Sequence, residues 1–148
     1  MNRFAPVGLR ALLAALALSA VAAPAAAAEY TIFIFETPAD LARRTDASPN
    51  GAAYWAAFGD YAKSMQAAGV LRGGSPLQAG SNARVVAVRN GGTQVSTGSA
   101  IQAKEELGGY FLIDVPTLDA ALDWAAKAPA ARTARIEVRP AFPAPAMR

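Results

Sequence analysis

Apolar and polar positions along the 148-residue chain change period several times, and each change predicts an element. Tyr30 to Phe35 (Y-T-I-F-I-F) is rich in β-branched and aromatic residues and predicts a strand. Strand alternation puts Tyr30, Ile32 and Ile34 on one side, and Thr31, Phe33 and Phe35 on the other. Both sides are largely apolar, so both are expected to be covered. Glu36 to Asn50 carries Pro38 and Pro49 and reads as a polar loop with one helical turn. Ser48-Pro49 then opens a helix, a capping hydroxyl followed by proline at the first helical position. Tyr54, Phe58, Tyr61 or Ala62, and Met65 recur every three or four residues, giving it one apolar stripe up to about Ala68, with Gly69 as its stop.

A short strand, Val70 to Gly74, follows, then a turn-forming segment, Ser75 to Asn82. Ala83 to Arg89 is a valine-rich strand, Asn90-Gly91-Gly92 a hairpin turn, and Thr93 to Thr97 the returning strand. Gly98 to Ala103 is unpatterned. Lys104 to Val115 (K-E-E-L-G-G-Y-F-L-I-D-V) holds the strongest strand signal, from Gly109 onward, again apolar on both faces. It is the expected central strand. Pro116 stops it and Thr117 caps a helix to Ala128. Leu118, Ala121, Leu122 and Ala125 form that helix's expected inner stripe, Trp124 lies on the flank, and Asp123 with Lys127 is an expected ion pair. Thr133 to Arg139 alternates between Ala134, Ile136 and Val138 facing in and charged residues facing out, the pattern of an edge strand.

The order is β-α-β, hairpin, β-α-β. This is the split β-α-β or ferredoxin-like plan with an inserted β-hairpin, an α+β class with helices on one face of an antiparallel sheet. Two helices leave the other face bare. The economical cover for it is the same face of a second copy, so a homodimer through the sheet face is expected.

Composition alters this picture mainly at the N-terminus. Arg3 and Arg10 precede an apolar run, Ala11 to Ala23, and Ala26-Ala27-Ala28 is a small-residue cleavage pattern before Glu29. That is the anatomy of a secretory signal peptide over residues 1–28, cleaved after Ala28, and it predicts a periplasmic or secreted protein with no membrane segment afterwards. The domain is then residues 29–140, and 141–148 is a proline-rich tail. Without the leader, twelve basic residues face eleven acidic ones, so the net charge drops from +3 to +1. A near-neutral domain lacks the electrostatic footprint of a nucleic-acid binder.

There is no cysteine and no histidine. Disulfides, thiol nucleophiles, Ser-His triads and thiolate or imidazole metal sites are therefore excluded. No metal or cofactor is expected.

The segments A-A-G-V-L-R-G-G-S-P-L-Q (Ala67 to Gln78), K-E-E-L-G-G-Y-F-L-I-D-V and L-D-A-A-L-D-W-A-A-K-A-P resemble the YCII-related family, in particular its DGPF-domain branch. The resemblance spans Tyr30 to Pro140 and implies a dimeric α+β barrel. The branch's D-G-P-F-A-E-T-K-E segment falls on Thr97 to Glu105, where Thr97 stands for the aspartate, Ser99 for the proline, Ala100 for the phenylalanine and Gln102 for the glutamate. Gly98, Lys104 and Glu105 keep the family residue. The family's acidic and histidine groups are thus missing, and no catalytic residue is carried over.

Two functions remain to compare. The favoured reading is a non-catalytic or small-ligand-binding domain, with Tyr30, Tyr61, Phe111 and Trp124 lining a pocket and Thr97 and Ser99 as polar anchors. The alternative is an enzyme using Glu36, Lys104, Glu105 or Glu106 with Tyr61 as acid–base groups between sheet and helices.

Overall fold

The computed structural model describes residues 27–143. The expected leader, all but its last two residues, lies outside the described residues, as do the last five residues of the tail.

Four strands form one antiparallel sheet: β1 (Ala28–Glu36), β2 (Leu71–Pro76), β5 (Glu106–Val115) and β6 (Ile136–Pro140). Their spatial order is β2-β5-β1-β6, with all neighbours antiparallel. A separate two-stranded hairpin consists of β3 (Arg84–Arg89) and β4 (Gly92–Thr97). This is the ferredoxin-like α+β arrangement. The two strands predicted to be apolar on both faces, β1 and β5, are the central pair, and β6 is an edge.

The helices follow from local chemistry. In α1 (Pro38–Arg43), the Thr37 hydroxyl accepts from the Asp40 amide while the Asp40 carboxylate accepts from Thr37, a reciprocal capping box. The expected single turn is therefore a short helix. Ser48 caps α2 (Pro49–Ala67), with proline at its first position. Thr117 caps α3 (Leu118–Ala125), its hydroxyl accepting from the Ala120 amide at 3.2 Å. In the hairpin turn, Asn90 and Gly91 both take positive φ, 52° and 77°, as a two-residue turn demands.

One sheet face packs against the helices. Tyr30, Ile32 and Ile34 from β1 join Ile113 and Val115 from β5, Tyr61 and Met65 from α2, and Ala121 and Ala125 from α3. Ile32, Met65 and Ile113 are fully buried. Of the stripe expected on α2, Phe58, Tyr61 and Met65 pack in or against this core, and Tyr54 does not.

Two expectations for α3 need correcting. Leu118 and Leu122 are 45% and 48% exposed, because the small Ala121 and Ala125 let the helix sit close to the sheet on their own line. Lys127 does not pair with Asp123; its Nζ lies 4.4 Å from the centre of the Trp124 ring, a cation–π contact. Strand β5 also starts earlier than its pattern suggests, because Glu106 and Leu107 pair with Glu36 and Phe35.

The opposite sheet face carries Thr31, Phe33 and Phe35, with Tyr110 paired to Phe33 and Leu112 paired to Thr31. No α-helix of the described residues packs its buried stripe there, and these side chains are only half-buried.

Candidate functional site

Strand alternation points Glu36 inward, beyond Ile32 and Ile34, at the end of β1. It is fully buried. A buried carboxylate needs a charge partner and donors, and α1 supplies the partner at its C-terminal end, Arg44. The Arg44 guanidinium pairs with Glu36 Oε2 through Nη2, which also donates to the Gly108 carbonyl at 2.7 Å. Nη1 donates to the Leu77 carbonyl, and Nε donates to the Tyr54 hydroxyl at 2.9 Å. Tyr54 in turn donates its proton to Glu36 Oε1. Trp55 Nε1 reaches back to the Arg44 carbonyl at 3.1 Å. One side chain thereby ties β1, the β5 bulge, the segment after β2, and α2.

The sequence around Gly108 fits this cluster. Strand β5 carries an extra residue opposite the Ile34–Phe35 step, a β-bulge at Gly108. A Cβ on Gly108 would collide with Glu36 Oε2 and lie 2.6 Å from Arg44 Nη2. A Cβ on Gly109 would lie 2.9 Å from the Ser75 carbonyl oxygen, across to β2. The Gly-Gly pair is there because a side chain has no room at either position.

Two clefts flank this end of the sheet. The helix-side cleft, about 250 Å³, lies between α2 and the β2–β5 edge and is walled by Ile34, Trp55, Phe58 and Phe111, with Arg44 and Tyr54 beside it. The sheet-side cleft, about 640 Å³, opens on the other face between Phe33, Phe35 and Leu107 and the connections to the hairpin. Ser99, Glu105 and Glu106 line it. Both carboxylates there are partnered: Glu105 with Arg135 Nε at 2.7 Å, and Glu106 with the Gly80 amide at 2.6 Å.

The residues singled out from sequence divide into separate groups. Tyr30, Tyr61, Phe111 and Trp124 meet in the core. Tyr61 and Phe111 pack edge to face with ring centres 5.3 Å apart, and the Tyr61 hydroxyl donates to the Trp124 carbonyl at 3.0 Å. Glu36 belongs to the Arg44 cluster. Thr97 and Lys104 are exposed, and Ser99 sits at the sheet-side cleft. Lys104, Glu105 and Glu106 are therefore not gathered around Tyr61. Arg44 and Tyr54 went unrecognised in the sequence: Arg44 stands in an ordinary polar loop, and Tyr54 reads as a member of the apolar stripe. The available signal was Glu36, an acid at an inward strand position.

Both Tyr54 and Tyr61 have phenol groups held above their ordinary pKa of 10.0, Tyr54 by burial and then by donation to Glu36, Tyr61 by burial. They are hydrogen-bond donors rather than bases at neutral pH. Tyr54 ionises more readily in the unfolded chain, so its contribution to stability is complete below about pH 10 and lost as pH rises toward the folded value. Ultraviolet titration of native protein checks this. At about pH 11, Tyr54→Phe leaves the phenolate band of the folded protein unchanged; loss of one tyrosine's absorbance would contradict it.

Among the described residues no group of three or more potential acidic, thiol or imidazole ligands is placed to hold a metal ion. Comparison with curated proteins finds no match. The family model for the YCII-related domain matches residues 28–144, most of the chain and every strand and helix described above. The chain belongs to the YCII-related family.

Proposed function

We propose that the protein is an exported, non-catalytic homodimer whose copies pack sheet to sheet and hold a small amphipathic molecule in the sheet-side cleft. The observation that carries this reading is the open sheet face. Phe33, Phe35, Tyr110 and Leu112 stand half-buried there, on the side away from the helices. Covering apolar area yields roughly 25 cal/mol per Å², and an antiparallel sheet with water on one side normally presents polar residues to it. A second copy supplies a matching face by two-fold symmetry. The cleft at its margin combines apolar walls with the Ser99 hydroxyl, a suitable lining for an amphipathic ligand.

The acid–base alternative has less support. The carboxylates at the cleft are engaged, the tyrosines with perturbed phenols lie on the helix side, and the chain has neither histidine nor cysteine. Export rests on the leader pattern of residues 1–28; no helix among the described residues is long and apolar enough to cross a membrane.

Protein recovered from outside the cytoplasm of an expressing cell tests the reading. Its N-terminus is expected at Glu29, and it sediments at micromolar concentration with twice the chain mass. Its melting temperature rises with at least one class of exported-compartment metabolite, as binding to the native state requires. Phe33→Glu yields a folded monomer. An intact Met1, a monomeric wild type, or no thermal shift with any class would each overturn the corresponding part.

A further inference from the structure

We infer that the helix-side cleft is a second binding site, separate from the sheet-side one, for a neutral, planar, bicyclic aromatic molecule. Three observations define the ligand. The first is size. An apolar cavity of about 150 Å³ accepts benzene, and this cleft, at about 250 Å³, has room for a second fused ring.

The second is wall chemistry. Trp55, Phe58 and Phe111 present aromatic surface, which favours stacking or edge-to-face contact with another ring. Trp55 is 43% exposed, with its indole N–H already bound to the Arg44 carbonyl, so its ring is fixed at the rim while one side stays open.

The third is charge. Arg44 is the cation beside the cleft, and its positive charge is already matched by Glu36. All three of its nitrogens donate within the protein, and both Glu36 oxygens accept. No net charge is left to attract a carboxylate or an amine. A neutral ligand fits.

Gly59 supports the cleft as a built space. It lies in the middle of α2, where glycine is the poorest residue after proline, and a Cβ there would meet nothing within 4 Å. The chain forgoes helix stability at this position without any steric reason in the surrounding structure. The visible consequence is an open cleft wall.

Two-dimensional amide spectra of the full-length chain titrated with indole test the inference. Saturable shifts are expected at the Trp55 indole N–H and the Gly59 and Gly109 amides. Naphthalene behaves alike, and 2-naphthoate binds at least tenfold more weakly. Gly59→Ala melts higher than the parent protein, confirming that the fold tolerates a side chain there. Gly59→Leu keeps the amide spectrum of the core and weakens indole binding at least tenfold, whereas Ala56→Leu, on the exposed side of the same helix, leaves binding unchanged. Failure of indole to saturate, equal binding of the naphthoate, or unaltered binding in Gly59→Leu would overturn it. So would movement of the same signals on simple dilution, which would assign the cleft to contact between copies. None of these outcomes depends on the sheet-side reading, which is scored by mass and thermal shift.

Discussion

The rest of the structure at the open end of the sheet depends on one buried ion pair, Arg44 with Glu36. Glu36 is inward because strand alternation leaves it no other direction, and a lone carboxylate in that position would be prohibitively costly. Arg44 satisfies it and uses its remaining donors on two carbonyls and a tyrosine hydroxyl belonging to other segments. Its planar fork of fixed donors is suited to this; a lysine could offer one point of charge but not the same geometry. The pair therefore acts less as a source of net stability than as a specification of where four segments meet. The Gly108 bulge and the Trp55 contact are both arranged around it.

That arrangement separates two environments. On the helix side a small aromatic cleft lies beside neutralised charge, and a second, more polar cleft of about 500 Å³ opens between α1, α2 and the Pro129–Thr133 segment. On the sheet side, phenylalanine, tyrosine and leucine remain half-buried, next to a larger cleft rimmed by the connections to the hairpin. Among the described residues the hairpin pairs only with itself, and its Val86, Val88 and Val95 are more than half exposed. A two-stranded ribbon of this kind is marginal alone. Of the segment from the end of this hairpin to Glu105, Ser99, Ala100, Ile101, Ala103 and Glu105 line the sheet-side cleft, whereas Thr97 and Gln102 are exposed outside it.

Much of the fold was legible because its signals are local. Alternation fixed the faces of β1 and β5, Asn90-Gly91 fixed the hairpin turn, and Ser48 and Thr117 marked helix starts. Residues whose role depends on distant partners were not legible. Glu106 and Leu107 do not read as strand, yet they pair with the end of β1. Leu118 and Leu122 look like core residues at helical spacing, but two alanines occupy the contact line. Arg44 carries no local mark at all, since its four partners lie at residues 36, 54, 77 and 108. Thr97 and Ser99, expected as polar anchors, and Lys104, expected as an acid–base group, are not brought together, and only Ser99 reaches a cleft.

The organising role of the Arg44–Glu36 pair is tested most directly by a double-mutant cycle on folding free energy, with Arg44→Met, Glu36→Gln and both together. Each single change is expected to cost about 3–5 kcal/mol, because it leaves a buried partner uncompensated. The double variant is expected to cost at least about 2 kcal/mol less than the two singles combined. Additivity within about 0.5 kcal/mol would contradict the pair as the constraint on which this end of the fold is built.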